Sequence, residues 1–441
     1  RLLGTQETMT HHFSRDGASR SAIAAAGRVF RTRNISKRVR RIVISPIKEM
    51  SIIADELEAK TGAKLISFGQ GIPYFDTPSH VKRGIRKALT ELDTAKYTLE
   101  PGITELRELI ARHLERSKGI RRVRPKREIM VSTGCQEAMA CALATVVDPG
   151  DEVLLPEPAF ASHIEQIIQF GGVPVFVPLI EEEGWRLDLA ACERRVTRRT
   201  KAILMSNPSN PTGAVLTERE VKGLARLARR HDLVVITDET YDFLTYDGVR
   251  HVSPASVPSI RDRVILCGSF SKKYALTGYR VGYAFADEGI IDHMLKVHDA
   301  LTICAPAISQ KAAIAALKGS GQSVREAVAK FTRNRERMCR ELDRLGGIVS
   351  YQKPMGAYYI LVRVNPPRAR GGQRRTIDSF KLALKILREA HVIVIPGAAF
   401  GPSGEGHLRF SFAGEPREIA EGFARLRRWF TRWHRRRYPL P

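Results

Sequence analysis

Between residues 128 and 286 the chain alternates short apolar, β-branched runs with amphipathic helical patterns, and this alternation restricts the fold more than any other feature. Residues 128–134 read as a strand and 136–147 as a helix; 152–156 and 173–178 read as strands on either side of a helical 162–170. Residues 201–206 run into a turn at 207–213 (NPSNPTG), and a helix over 218–230 carries Val221, Leu224, Ala225 and Ala228 on one face. The runs at 233–237 and 264–267 are wholly apolar strands. Strands that alternate with helices predict parallel βαβ units. The expected fold is therefore α/β, a doubly wound and mostly parallel sheet covered on both faces. Ligands of such sheets bind beyond the carboxyl ends of the strands, which is where chemistry should be sought.

After about residue 310 the pattern changes to a long helix (324–345), a strand (357–364), a helix (379–390) and strands at 392–395 and 408–412. This predicts a second, smaller α+β domain. The expected organisation is a disordered basic extension at 1–37, readable also as a transit peptide, and a segment at 38–75 that joins the small domain. A large domain follows at 76–310 and the small domain at 311–437. In the last stretch Ile419, Phe423, Leu426, Phe430 and Trp433 form an apolar stripe at helical spacing. That is the pattern of a final helix packed inward, with a basic helix lying on an anionic membrane as the competing reading.

The 72 Lys and Arg residues exceed the 47 Asp and Glu residues, for a net charge of +25, which raises nucleic acid as a partner. The excess is local. Residues 1–41 carry +8, 116–127 +7, 363–375 +5 and 425–441 +7, which leaves the rest of the chain at −2. No nucleic-acid or membrane partner is expected, and no apolar run approaches the ~20 residues that span a bilayer. Six scattered cysteines without a C-x-x-C pair suit a reducing, cytoplasmic setting, and the histidines show no H-E-x-x-H metal motif.

The strand ends hold the candidate chemistry. Asp238 ends the run 233–237, with Tyr241 three residues on. Lys272 follows the run 264–267, flanked by Ser269 and Arg280, so a desolvated amine stands beside donors that suit phosphate. Gly134, Cys135 and Gln136 open a helix whose free N–H groups form an anion site. Asn210 sits in a proline-stiffened turn and Phe160 follows another strand. Taken singly, each has a bland reading as a cap, a surface lysine, a loop or a core ring. Together, a reactive lysine, a phosphate cradle, an acid for a ring nitrogen and an aromatic platform match the needs of pyridoxal 5′-phosphate.

The chain also resembles the fold-type I, class I/II pyridoxal-phosphate aminotransferases of the broad aspartate/aromatic branch, over about residues 38–430. The motifs are GIPYFDTP (71–78), KYTLEPGITELR (96–107), STGCQEA (132–138), DPGDEVLLPEPAF (148–160), NPSNPTG (207–213), DETY (238–241), SFSKKYALTGYRVGY (269–283) and GEGHLRFSFA (404–413). The resemblance implies transfer of an amino group between an L-amino acid and a 2-oxo acid such as 2-oxoglutarate. Lys272 would hold the cofactor as a Schiff base and shuttle the proton, and Asp238 would keep the ring nitrogen protonated. Asn210 and Tyr241 would bond the phenolic oxygen, and Phe160 would stack on the ring. Gly134, Cys135, Gln136, Ser269 and Arg280 would hold the phosphate. Arg409 would grip the substrate carboxylate, with Gly71 lining that pocket. Tyr97 would reach the neighbouring subunit's phosphate, so a homodimer with shared sites is implied. Ile72, Tyr74 and Cys135 depart from the usual pattern, the first two in the segment that closes over substrate. Two alternatives stand beside this one: a C–S lyase or other β-eliminating enzyme of the same fold, and an aminotransferase-like DNA-binding regulator. The latter needs a winged module of roughly 60 folded residues, and only about 37 precede the fold.

Overall fold

The computed structural model describes residues 35–42, 45–366 and 377–435. Contacts group the chain into two units, Arg1–Ile42 and Val43–Pro441, and the second carries all the sheets. The basic extension expected at 1–37 lies, apart from residues 35–37, outside the described residues, as do most residues of the basic stretch 363–375.

Seven strands form the main sheet: β1 (Ile129–Ser132), β2 (Glu152–Glu157), β3 (Val173–Pro178), β4 (Thr200–Ser206), β5 (Val234–Asp238), β6 (Val264–Ser269) and β7 (Gly282–Phe285). Their order is β1-β7-β6-β5-β4-β2-β3, and every pairing is parallel except those of β7. The sheet is thus mostly parallel, as expected, but β7 was absent from the sequence reading. It returns antiparallel from β6 without a crossover helix. Strands β1, β2 and β7 are buried along their whole length, as strands of a sheet covered on both faces are.

The helices that cover or brace the sheet include α1 (Thr104–Lys118), α2 (Cys135–Val146), α3 (Ala161–Gln169), α4 (Glu218–Arg230) and α5 (Glu288–Thr302). Helix α4 begins where the sequence reading put it because Thr217 and Glu220 form a reciprocal capping box. The Thr217 hydroxyl accepts the Glu220 N–H at 3.2 Å and the Glu220 carboxylate accepts the Thr217 N–H at 2.8 Å. Its face of Val221, Leu224, Ala225 and Ala228 is buried.

Four strands, β8 (Val349–Tyr351), β9 (Tyr359–Val364), β10 (Ile395–Pro396) and β11 (His407–Ser411), make an antiparallel sheet in the order β10-β11-β9-β8. Helices α6 (Gln322–Asp343), α7 (Ser379–Ala390) and α8 (Pro416–Arg435) accompany it. The single strand expected at 392–395 is in fact two. Val392–Ile393 pairs in parallel with Ile66–Ser67, and Ile395–Pro396 pairs antiparallel with β11, so the chain changes sheets at Val394. Such a switch is set by partners distant in sequence.

The stripe on α8 is interior: Ile419, Phe423, Leu426, Phe430 and Trp433 are all buried, which overturns the membrane-surface reading of that face. No described helix is long and apolar enough to cross a membrane. Gly422 lets α8 sit against Phe68, whose ring would lie 2.5 Å from a Cβ added there. Phe423→Ala should therefore lower stability by about 3–5 kcal/mol in a denaturant titration. Unchanged stability would contradict the inward packing.

Candidate active site

The parallel register sets Ser206, Asp238 and Cys267 abreast at the ends of β4, β5 and β6, and the antiparallel pairings of β7 set Ser132, Gly282 and Ser269 abreast beside them. The sequence candidates gather along this edge. Asp238 is buried, and its Oδ1 accepts the Thr240 N–H at 3.0 Å and the Cys135 thiol at 3.5 Å. His163 Nε2 stands 3.4 Å from Oδ2. Burial pushes the Asp238 carboxyl up, but His163 and Thr240 outweigh it and hold the group below its ordinary value. His163 comes from α3, one turn beyond Phe160, and the two rings meet edge to face at 5.5 Å.

Lys272 follows β6 and donates from Nζ to the Gly71 carbonyl at 2.7 Å. Burial and the cations Arg280 and Arg409 push its amine down to about 8, against an opposing pull from Asp238. The Gly71 carbonyl also accepts the Tyr358 hydroxyl at 2.6 Å. A Cβ at Gly71 would lie 1.9 Å from the Tyr359 hydroxyl, so only glycine fits there. Tyr241 and Tyr359 share a 2.9 Å hydrogen bond, and burial drives the Tyr241 hydroxyl well above its ordinary value.

At the helix end, Gly134 adopts φ 83°, and α2 starts with no side-chain cap. The Arg280 guanidinium lies over this turn, 2.7 Å from where a Gly134 Cβ would be. Uncapped N–H groups, a guanidinium and the nearby Ser269 make a cradle for a compact anion. Gln136 faces outward; its carbonyl accepts from Gln166.

Arg409, on β11, is enclosed. Its Nη1 donates to Asn210 Oδ1 at 3.1 Å and its Nη2 to the Gly69 carbonyl at 2.5 Å, while Nε has no partner among the described residues. Its guanidinium lies over the rings of Tyr359 and Phe400 at 4.5 and 5.0 Å. Asn210 is held in its turn partly by Asn207, whose amide spans Val252 and Leu216. Tyr97 stands apart from these groups, 78% exposed.

A second charged layer lies next to the first and was not foreseen. Lys118, one of the basic residues of the 116–127 stretch, is buried and pairs with Glu239 at 2.7 Å and Asp242 at 2.6 Å. Burial pushes the Lys118 amine down, but the two carboxylates outweigh it and hold the amine above its ordinary value. Lys273 and His113 adjoin the same Asp242, and burial with Lys273 lowers His113 to about 4.

Residues 63–426 match the family described as aminotransferase class I and II. The chain belongs to that family. It is 34% identical over 394 residues to aromatic-amino-acid aminotransferase 2 of Thermococcus litoralis, covering 89% of this chain and 97% of that one. It is 37% identical over 364 residues to an aspartate aminotransferase of Pyrococcus abyssi, covering 82% and 90%. Among solved structures, the aspartate aminotransferase of Thermus thermophilus with maleate aligns at a TM-score of 0.81 and 33% identity, covering 89% of this chain and 99% of that one. This aminotransferase is a pyridoxal-phosphate-dependent transferase with the expected α/β fold.

The lowered amine of Lys272 has a consequence for the cofactor-free aminotransferase. Between about pH 8 and the ordinary lysine value of 10.5 the unfolded chain binds more protons than the folded one, so stability rises with pH there. Lys272→Met removes the cost of holding that amine. The variant should unfold at a higher temperature than the parent below pH 8, with the gap closing as pH approaches 10.5. A gap that does not vary with pH would contradict the lowered amine.

Proposed function

We propose that this aminotransferase exchanges the amino group of an L-amino acid of the aspartate or aromatic type with a 2-oxo acid such as 2-oxoglutarate, using Lys272 as its Schiff-base lysine. One observation carries the substrate half of this reading: Arg409 is an enclosed cation whose hydrogen bonds, among the described residues, go to neutral oxygens. Burying a charge without a counter-charge costs free energy, and a substrate α-carboxylate supplies the bidentate partner that the guanidinium lacks.

The remaining groups fit the cofactor. Gly134, Cys135 and Gln136 at the uncapped start of α2, with Arg280 and Ser269, suit its phosphate, and the unpartnered Thr133 hydroxyl lies in the same turn. Asp238 suits a protonated ring nitrogen, and Phe160 a stacked ring. When bound, pyridoxal phosphate supplies an electron sink for negative charge at the substrate Cα. The chain's own groups do the rest. Asp238 stays ionised because His163, Thr240 and Cys135 supply donors. Tyr241 keeps its proton and donates. With its basicity lowered, Lys272 has an appreciable neutral fraction near pH 7, so it can accept a proton from Cα and return it. Asn210 is fixed between its turn and Arg409, and Gly71 leaves room for substrate beside Tyr359.

Tyr97 supports assembly as a homodimer. Its ring is exposed, along with Leu92 and Leu99 on the same segment and Leu301 and Ile303 elsewhere. Gln310 and Lys311 tie that segment to the stretch following Ile303. Apolar side chains gathered in this way suit burial against a second copy, whose site Tyr97 would complete.

Arg409→Leu should raise KM for both the amino acid and the 2-oxo acid by roughly 100-fold while the cofactor's visible absorbance persists. An unchanged KM for both would remove the role given to Arg409. A panel of amino donors against 2-oxoglutarate, read as spectral half-reactions, tests the substrate class. Release of pyruvate and ammonia from cystathionine without transamination would overturn it.

A further inference from the structure

Next to the phosphate cradle lies a cluster of side chains that no motif contains as a whole. Glu137, in the first turn of α2, accepts the Thr133 N–H on Oε2 at 2.8 Å. Its Oε1 faces His298 Nδ1 at 2.6 Å and the Cys141 thiol at 3.2 Å. His298 comes from α5, 161 residues away in sequence, and is fully buried.

The donor directions can be worked out. Burial and Glu137 push the Cys141 thiol far up, so it keeps its proton and donates. A carboxylate only accepts, so His298 presents N–H at Nδ1. Its Nε2 is buried with no partner among the described residues, and a bare lone pair there costs less than an orphaned N–H. Nδ1 is therefore the nitrogen that donates to Glu137. Glu137 thus receives three donors, one of which is the backbone of the turn itself.

That turn is the cradle. Thr133 precedes Gly134; the Gly134 N–H donates to the Ser132 carbonyl at 2.8 Å, and the Ser132 hydroxyl donates to the Gly134 carbonyl at 3.1 Å. Ser132 and Gly134 fix the turn locally, and Glu137 connects it to α5, as the Gln136 carbonyl connects the start of α2 to Gln166 on α3. We infer that Glu137 and His298 are positioning residues for the phosphate cradle. His298 on α5 sets the Glu137 carboxylate, Glu137 sets the Thr133 amide, and the uncapped amides of Cys135 and Gln136 that follow the turn are held in the direction that a phosphate requires. The inference rests on the cofactor reading above. The Glu137, Cys141 and His298 donor atoms also lie within 4.8 Å of one another, a spacing that a metal ion would accept. The two short contacts to Oε1 already pair these atoms as hydrogen bonds.

The test uses apoenzyme titrated with pyridoxal phosphate and, separately, with pyridoxal, which lacks the phosphate. Glu137→Ala and His298→Leu should weaken pyridoxal phosphate binding by roughly tenfold or more while changing pyridoxal binding by about twofold or less. Glu137→Gln retains an acceptor for the Thr133 N–H but turns an NH2 towards His298 and Cys141, so it should restore part of the affinity that Glu137→Ala loses. Equal losses for both ligands would mean a general packing defect and overturn the inference, as would no loss for either. Wild-type apoenzyme that binds neither ligand would overturn the cofactor reading and this inference with it. Thermal stabilisation of the wild type by Zn²⁺ that disappears in His298→Leu would assign the cluster to a metal instead.

Discussion

A carboxylate at the dry end of a central strand is the constraint around which the site is arranged. Asp238 closes β5 between two other buried strands, so it must find donors from the protein or take up a proton. It finds Thr240 in its own turn, Cys135 at the start of α2 and His163 on α3. Those partners bring the phosphate-cradle helix and the Phe160 segment to one place. Lys272 and Arg280 complete the cluster, in which Arg280 and Asp238 pull the Lys272 amine in opposite directions. The next residue in each loop, Glu239 and Lys273, joins the second layer with Lys118 and Asp242. Two layers of buried charge thus hold the strand ends, one open to ligand and the other closed on itself.

Much of the fold was legible because its physics is local. Parallel strands buried on both faces leave unbroken apolar runs, and α4 announces its start through Thr217 and Glu220. Strand β7 was not legible, since it follows β6 through a loop of mixed composition and gains its place only by pairing. The change of sheets at Val394 was hidden for the same reason. The site divides along the same line. Lys272, Asp238 and Gly134 each adjoin a strand and could be found by inspection, whereas Arg409, on β11, entered only through the family resemblance. Tyr359 and Tyr358 meet Tyr241 and Gly71 across 118 and 287 residues, so no local pattern marks them. His163 is intermediate, because its spacing from Phe160 was a usable signal.

The large positive charge is a poor guide to the chemistry. Several basic side chains are interior and have particular tasks. Arg335 makes a bidentate pair with Asp247 at 3.0 and 2.8 Å and stacks on Tyr246, while Lys118 anchors the second layer. Arg409 differs from both in having no acidic partner among the described residues. A buried guanidinium without a carboxylate is not by itself a mark of ligand binding, since Arg107 bonds only carbonyls and a hydroxyl among the described residues. Arg409 is set apart by its place beside Lys272 and Asn210, and composition does not report that.

The account stands on covalent attachment of the cofactor at Lys272, with its neighbour Lys273 committed to Asp242. Borohydride reduction of the cofactor-loaded enzyme, followed by peptide mass spectrometry, reads that attachment directly. The account predicts a phosphopyridoxyl group on Lys272 and none on Lys273. A label on any other lysine, or cofactor that binds but leaves no reducible link, would contradict it.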